Sequence, residues 1–254
     1  MHIREIDAYY RSFLRIDDLA RTDSSLNGIQ LAPDTKDVRK IAFAVDACLD
    51  SFRLAADWGA DMIFVHHGLF WGRDLRVTGV HYERLKFLIQ NNLALYAAHL
   101  PLDMHPEVGN NAGIAAALGL RDTAPFGFYK GNAIGIQGRF AAPVPREEAA
   151  KRLFGTCAAT PATLLPFGKA EVQSVGVISG GAAHEVDQAI ELGLDLYITG
   201  DSAHEVYHSC QEAGINVLFA GHYQTETWGV RLTAEKTRAD TGLETRFFDV
   251  PTGL

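Results

Sequence analysis

A layered α/β protein, its sheets mainly parallel and covered by helices, is the fold class that this sequence predicts. Three observations carry it. Helical 3.6-residue periodicity and short apolar runs alternate along the whole chain, the pattern of strands joined by helical crossovers. One unit recurs, a helix-ending glycine, a polar residue two places on and a buried strand: Gly59-Ala60-Asp61, Gly193-Leu194-Asp195 and Gly214-Ile215-Asn216 each open it. Finally, 254 residues with 47% hydrophobic and 21% charged side chains supply the core of one large or two small domains.

Taken in order, Ile3, Ile6, Tyr9, Tyr10, Phe13 and Leu14 have the spacing of an amphipathic helix over 3–14. Residues 21–28 are polar, end in Asn27-Gly28 and read as loop. A strand over 41–45 ends at Asp46, a helix over 48–58 closes at Gly59, and a strand over 62–65 delivers His66 and His67. A helix over 81–91, a strand over 93–98 and a helix over 110–118 follow. Residues 124–131, rich in Gly, Pro and aromatics, read as a crossover between lobes. Residues 133–140 alternate as a half-buried strand does. Pro145 suits the first turn of a helix reaching Phe154, and 156–169 read as irregular. Strands over 175–178, 194–199 and 217–220 alternate with helices over 183–192 and 203–212. A long helix over 225–241 precedes a last strand over 244–250.

Composition narrows the function. The net charge is −8 without a basic patch, which speaks against a nucleic-acid surface. No apolar run reaches membrane-spanning length, and Met1-His2-Ile3-Arg4 lacks the apolar segment of a secretory signal. Cys48, Cys157 and Cys210 are odd in number and far apart; they read as buried free thiols of a cytoplasmic protein, not as a disulfide framework or metal knuckle.

The chemistry gathers at strand exits, where open α/β sheets bind ligands. Eight residues past the three recurring glycines stand His67, Asp201 and His222. His66 and His67 are adjacent and point to opposite faces of a regular strand, but the turn at Gly68 can bring both to one centre. His222 and Glu226, four apart, share a helix face; the other reading of Glu226 is a residue favoured by the dipole at a helix start. Asp103 lies near His99 and His105 in what reads as a loop. Three histidines and two carboxylates suit a two-metal centre. His99 would orient a ligand or carry a proton, with His204 as a second proton carrier. Asn27, Asp46, Asp201 and His204 could hold substrate. Gly180-Gly181 reads as a tight turn or phosphate cradle, and Phe70-Trp71 as core or a stacking surface.

Val65-His66-His67-Gly68-Leu69-Phe70-Trp71, His99-Leu100-Pro101-Leu102-Asp103, Gly109-Asn110-Asn111, Thr199-Gly200-Asp201, Gly221-His222-Tyr223-Gln224-Thr225-Glu226 and Asn27-Gly28-Ile29-Gln30 together resemble the Nif-three-like (YbgI-like) family, which carries the label GTP cyclohydrolase I type 2 homolog. The resemblance runs over nearly the whole chain. It implies a dinuclear centre of two divalent transition-metal ions (zinc, manganese or iron) held by His66, His67, Asp103, His222 and Glu226. It also implies two similar α/β lobes and a toroidal homohexamer. Where the family has Thr-Gly-Glu, this chain has Thr199-Gly200-Asp201. The metal-site lobe then comprises 1–125 and 221–254, and the second lobe 126–220. Two functions follow: a metal-dependent hydrolase attacking a small nucleotide-like or phosphoester substrate with a metal-bridged hydroxide, or a non-enzymatic metal-binding or regulatory ring. No nucleophile elbow, Walker loop or Rossmann fingerprint adds an independent catalytic signature.

Overall fold

The computed structural model describes residues 1–34, 36–154 and 162–254. The chain divides into two compact units, Met1–Leu102 with Gly229–Val250, and Asp103–Trp228 with Pro251–Leu254. The boundaries therefore fall elsewhere than at 125/126 and 220/221. Residues 103–125 and 221–228 belong to the second unit, taking Asp103, His222 and Glu226 with them.

The first unit holds α1 (Ile3–Leu14), β1 (Gly28–Leu31), β2 (Lys40–Asp46), α2 (Leu49–Asp57), β3 (Met62–His67), α3 (Gly79–Gln90) and β4 (Ala94–Ala97). Its sheet has the order β1-β4-β3-β2-β11, with β11 (Glu244–Phe247) supplied by the end of the chain. Strands β4, β3, β2 and β11 run parallel, and β1 closes one edge antiparallel. Covered on both faces, β2, β3 and β4 are continuous apolar runs. On one face Phe43, Phe64 and Tyr96 meet Tyr10 of α1, with ring centroids of Tyr10 and Phe64 5.0 Å apart and of Phe43 and Phe64 5.1 Å apart. On the other, Ala42, Ala44, Ile63, Val65, Leu95 and Ala97 pack with Phe52, Ala55 and Leu88 of α2 and α3. Strand β3 continues through both histidines, because β2 extends to Asp46 and pairs it with His67.

The second unit begins inside α4 (Leu100–Met104) and continues with α5 (Asn110–Leu118), β5 (Arg121–Tyr129), β6 (Asn132–Pro145), α6 (Glu147–Phe154), β7 (Thr163–Pro166), β8 (Glu171–Val177), α7 (Val186–Glu191), β9 (Leu196–Thr199), α8 (Tyr207–Ala213), β10 (Asn216–Phe219) and α9 (His222–Thr225). Helix α10 (Thr227–Thr241) then returns to the first unit. The sheet order is β5-β6-β8-β9-β10-β7. Among the described residues only β8-β9 and β9-β10 pair in parallel here, against three parallel pairings in the first sheet. Ile114 and Leu118 of α5 pack with Phe140, Val172, Val175, Val177, Leu196, Ile198 and Leu218 as its core. The three recurring glycines have φ of 76°, 64° and 67° at Gly59, Gly193 and Gly214, the left-handed conformation that stops a helix before a strand.

Several elements differ from the sequence reading. Residues 124–131 are not a crossover: they belong to β5 and its hairpin turn into β6. Pro145 ends β6 and helix α6 starts two residues later. Within 156–169, β7 pairs with β10; residues 156–161, Cys157 among them, lie outside the described residues. Asp103 sits in a helical turn and is buried, not solvated in a loop. Cys210 is buried and Cys48 half-buried, both as free thiols. Among the described residues no helix is long and apolar enough to cross a membrane.

Candidate metal centre

In the first unit the sheet register builds a row of polar side chains. Asp46 of β2 is level with His67 of β3. Val65 pairs with Ala97 of parallel β4 and the Val65 carbonyl accepts from Ala98 N, so His99 follows directly on the exit of β4 beside that of β3. The imidazole centroids are 4.6 Å apart for His66 and His67, 5.1 Å for His66 and His99, and 5.7 Å for His67 and His99. Their ligand atoms all lie within 4.8 Å of one another.

Each ring is anchored at Nδ1. His67 Nδ1 faces Asp46 Oδ1 at 2.9 Å, His99 Nδ1 faces Asp23 Oδ1 at 2.8 Å, and His66 Nδ1 faces the Ala98 carbonyl at 3.0 Å. Carboxylate and carbonyl oxygens only accept, so all three Nδ1 atoms carry the proton and donate it. In the neutral ring Nε2 is then the lone-pair nitrogen, the tautomer in which outer partners hold metal-ligating histidines. Asp23 is buried and also accepts from Ser25 N, Asn27 Nδ2 and Leu100 N. Burial alone would raise its pKa; the His99 contact, with Asn27 and Ser25, outweighs this and lowers it, keeping Asp23 a carboxylate. Asn27 Oδ1 in turn accepts from His99 N at 2.8 Å, and Gln30 Oε1 from Leu69 N at 2.7 Å. The Asn27–Gln30 motif thus holds the two strand exits. Trp71 presents an edge to His99 at 4.9 Å, while Phe70 lines a cleft with Leu26, Gly72, Arg73 and Asp74.

The second unit carries the carboxylates. Asp103 Oδ1 accepts from Asn110 Nδ2 at 2.9 Å and Ser179 Oγ at 2.8 Å. Asn111 ties the same turn down, donating to the Asp103 carbonyl and accepting from Ser179 N. His222 opens α9 just beyond β10, and Glu226 follows one turn later, with His222 Nε2 and Glu226 Oε2 3.2 Å apart. His222 Nδ1 meets Asp201 Oδ2, just beyond β9, at 2.8 Å. Burial pulls the His222 pKa down, but Glu226 and then Asp201 overcome it and push it up to about 9. Without metal, His222 therefore carries protons on both nitrogens at neutral pH. A metal ion taking Nε2 must displace one of them. Metal affinity should accordingly rise about tenfold per pH unit from this residue alone up to about pH 9 and level off above it. Calorimetric titrations in buffers of different ionisation enthalpy would count the released proton; affinity independent of pH between 7 and 9 would refute the assignment.

Gly180 has φ of 66°, and a Cβ there would lie 2.2 Å from Glu226 Oε1. Gly180-Gly181 is therefore the floor under Glu226 and Asp201. Gly180→Ala should cost about 1–2 kcal/mol from backbone strain and, by displacing Glu226, weaken metal binding about 10–100-fold. Thermal unfolding and metal titration would read the two effects.

The sequence reading places His204 beside His99 as a proton carrier. The structure puts it exposed in a 3₁₀ turn, His204–Val206. His105 caps its own turn, Nδ1 accepting from Glu107 N and Val108 N. Asp46 and Asp201, read as substrate-holding residues, hydrogen-bond to His67 and His222. Asp23 and Ser179, which hold His99 and Asp103, are positions that sequence reasoning misses, whereas Asn110 lies in the quoted Gly109-Asn110-Asn111 motif. Of the two, Asp23 leaves a trace, the Asp-x-Ser spacing whose side chain accepts from the backbone two residues on.

By fold and donor chemistry this is an α/β protein with candidate metal-binding groups at its strand ends. The chain belongs to the family described as Duf34/NIF3 (NGG1p interacting factor 3), whose model matches residues 1–252. A relative from Treponema pallidum (strain Nichols), called GTP cyclohydrolase 1 type 2 homolog, is 44% identical, with 100% of both chains covered. Among solved structures, TTHA1606 from Thermus thermophilus is 38% identical with a TM-score of 0.90, and the protein ybgI, of unknown function, 32% identical with 0.92; each comparison covers 100% of both chains.

Proposed function

We propose that this protein is a dinuclear metal-dependent hydrolase acting on a small nucleotide-like or phosphoester substrate. In this reading His66, His67, Asp103, His222 and Glu226 together hold two divalent ions. The observation that carries it is the set of histidines anchored at Nδ1 by Asp46, Asp201 and the Ala98 carbonyl. Such partners fix the ring and raise the basicity of Nε2. Imidazole and carboxylate donors together accept zinc, manganese or iron, with supply deciding among them. When bound, such a pair supplies Lewis-acid chemistry: it activates water and neutralises charge on a phosphoryl or carbonyl oxygen. The chain's own residues set the geometry. Asp46 and Asp201 keep His67 and His222 in one tautomer, Asn110 and Ser179 fix Asp103, and Trp71 covers one side of His99. The name of the Treponema relative supports hydrolysis of a purine nucleotide as one version.

The second reading, a metal-binding or regulatory ring without catalysis, is favoured by burial: His66, Glu226 and Asp103 are 0%, 3% and 6% exposed. The full chain, purified without chelator and loaded in turn with zinc, manganese and iron, separates the two when offered a panel of nucleotides and phosphoesters. Turnover that disappears in Asp103→Ala supports the hydrolase. Metal retained without turnover on any member supports the ring.

A toroidal homohexamer belongs to both readings. Self-association would cover exposed apolar side chains such as Val80 and Ile89 of the first unit, 67% and 66% exposed, and Phe128 of the second, 61% exposed. Light scattering should give a six-chain mass at micromolar concentration; a monomer mass on dilution would refute it.

A further inference from the structure

We infer that the cleft beside Phe70 in the first unit seats the base of a nucleotide: Phe70 and Leu26 hold the flat ring, and Arg73 and Asp74 pair with its polar edge. The inference rests on the nucleotide-like version of the proposed substrate and says where that substrate is held.

The cleft has a volume of about 450 Å³ and is lined by Leu26, Phe70, Gly72, Arg73 and Asp74, a size at which small-molecule sites occur. Its two chain segments are fixed to each other. Leu26 N donates to the Phe70 carbonyl at 2.9 Å. Gly72, with φ of 64°, passes so close to Ser24 that a Cβ would lie 3.0 Å from the Ser24 carbonyl oxygen. Phe70 is backed by the core: it packs on the cluster that contains Val65 and Leu69 and meets the His81 ring edge-on at 5.4 Å. A ring held in this way is a platform for stacking, which every base accepts. Leu26, joined to Phe70 by the backbone hydrogen bond, is 54% exposed, an apolar side chain that its own unit leaves uncovered. Arg73 and Asp74 supply the polar edge. Both are exposed, and among the described residues neither side chain forms an ion pair or hydrogen bond. Adjacency does not prevent pairing, since Arg146 and Glu147 meet at 3.0 Å. A guanidinium donates to the ring nitrogen and carbonyl acceptors of a purine, and a carboxylate accepts from its amino groups. The same carboxylate repels phosphate, so the cleft takes the ring and not the phosphoryl end. Trp71, the next residue, stands 6.0 Å from the His67 ring and 4.9 Å from the His99 ring, so the cleft adjoins those histidines within one unit. A base on a nucleic-acid strand offers the same ring, but a net charge of −8 disfavours a strand. The occupant is a mononucleotide.

Calorimetric titration of the full-length chain with guanosine and adenosine, nucleosides without phosphate, tests this with zinc loaded and again after chelation. At least one nucleoside should bind, with equal affinity in both states. The double variant R73A/D74A, at two exposed positions, should weaken that binding about 5–150-fold. Phe70→Leu, which keeps the bulk and loses the ring face, should weaken it by a similar factor. Where circular dichroism shows the Phe70 variant unfolded, the exposed pair decides alone. Inorganic phosphate should not compete. Absence of nucleoside binding at millimolar concentration overturns the inference, as do unchanged affinities in the variants or competition by inorganic phosphate. A single-stranded oligonucleotide that binds more tightly than the nucleoside overturns it as well. Turnover of a phosphoester by a chain that binds no nucleoside leaves the hydrolase standing and removes the cleft. Nucleoside binding by a chain that holds no metal leaves the cleft standing and removes the metal-dependent hydrolase.

Discussion

Asp103→Ala is expected to abolish binding of at least one metal ion and to destabilise the second unit at the same time. Asp103 is 6% exposed, and its Oδ1 is the acceptor shared by Asn110 Nδ2 and Ser179 Oγ, themselves 0% and 7% exposed. Taking away the acceptor of a buried hydrogen bond costs about 1–3 kcal/mol for each donor affected. Asp103→Asn separates the two effects, because its amide oxygen still accepts from both donors while the charge and most of the metal affinity are gone. Urea unfolding should therefore rank unaltered chain, Asn variant and Ala variant in falling stability, with metal low in both variants. An Ala variant carrying the metal content of the unaltered chain would remove Asp103 from the ligand set.

The largest loss of stability from a single side chain is expected at Phe64. Its ring is fully buried, with centroids 5.0 Å from Tyr10, 5.1 Å from Phe43 and 5.6 Å from Tyr96. Phe64→Ala should cost about 3–5 kcal/mol through lost burial and the cavity left behind. The position is on the central strand of the first sheet, two residues before His66, so metal affinity should fall with stability. Phe64→Leu, which fills most of the space, should lose clearly less. Denaturant midpoints would settle the ranking; an alanine variant as stable as the unaltered chain would mean that the aromatic cluster does not hold this unit together.

Local signals in the sequence are reliable wherever one face of an element is apolar. Helix α1 begins and ends where its periodicity places it, α5 ends before Gly119 as read, and the continuous runs of β2 and β3 are strands buried on both faces. Strand β5 reads as a crossover because Pro125 and Gly127 interrupt it and most of its residues are exposed, so it offers neither alternation nor an apolar run. Short α4 is invisible for another reason: five residues containing a proline carry no period. The strand exits are legible, since a histidine that ends an apolar run stands out. What orients those histidines is not. Asp23 meets His99 across 76 residues of sequence, and Ser179 meets Asp103 across the same separation. Such partners are set by the register of sheets and the path of loops, which no local pattern records.

The strand order of the first sheet has a consequence for synthesis on the ribosome. Once Leu102 has been made, four of its five strands exist, but β2 keeps an open edge until β11, Glu244–Phe247, emerges. At 5–20 residues per second that wait is about 7–28 s, during which an unpaired hydrophobic strand edge is available to other nascent chains. The long segment Asp103–Trp228 is made within that interval and can fold first. The first unit is therefore the last to be finished, and a ribosome-bound chaperone acting over that interval would protect it.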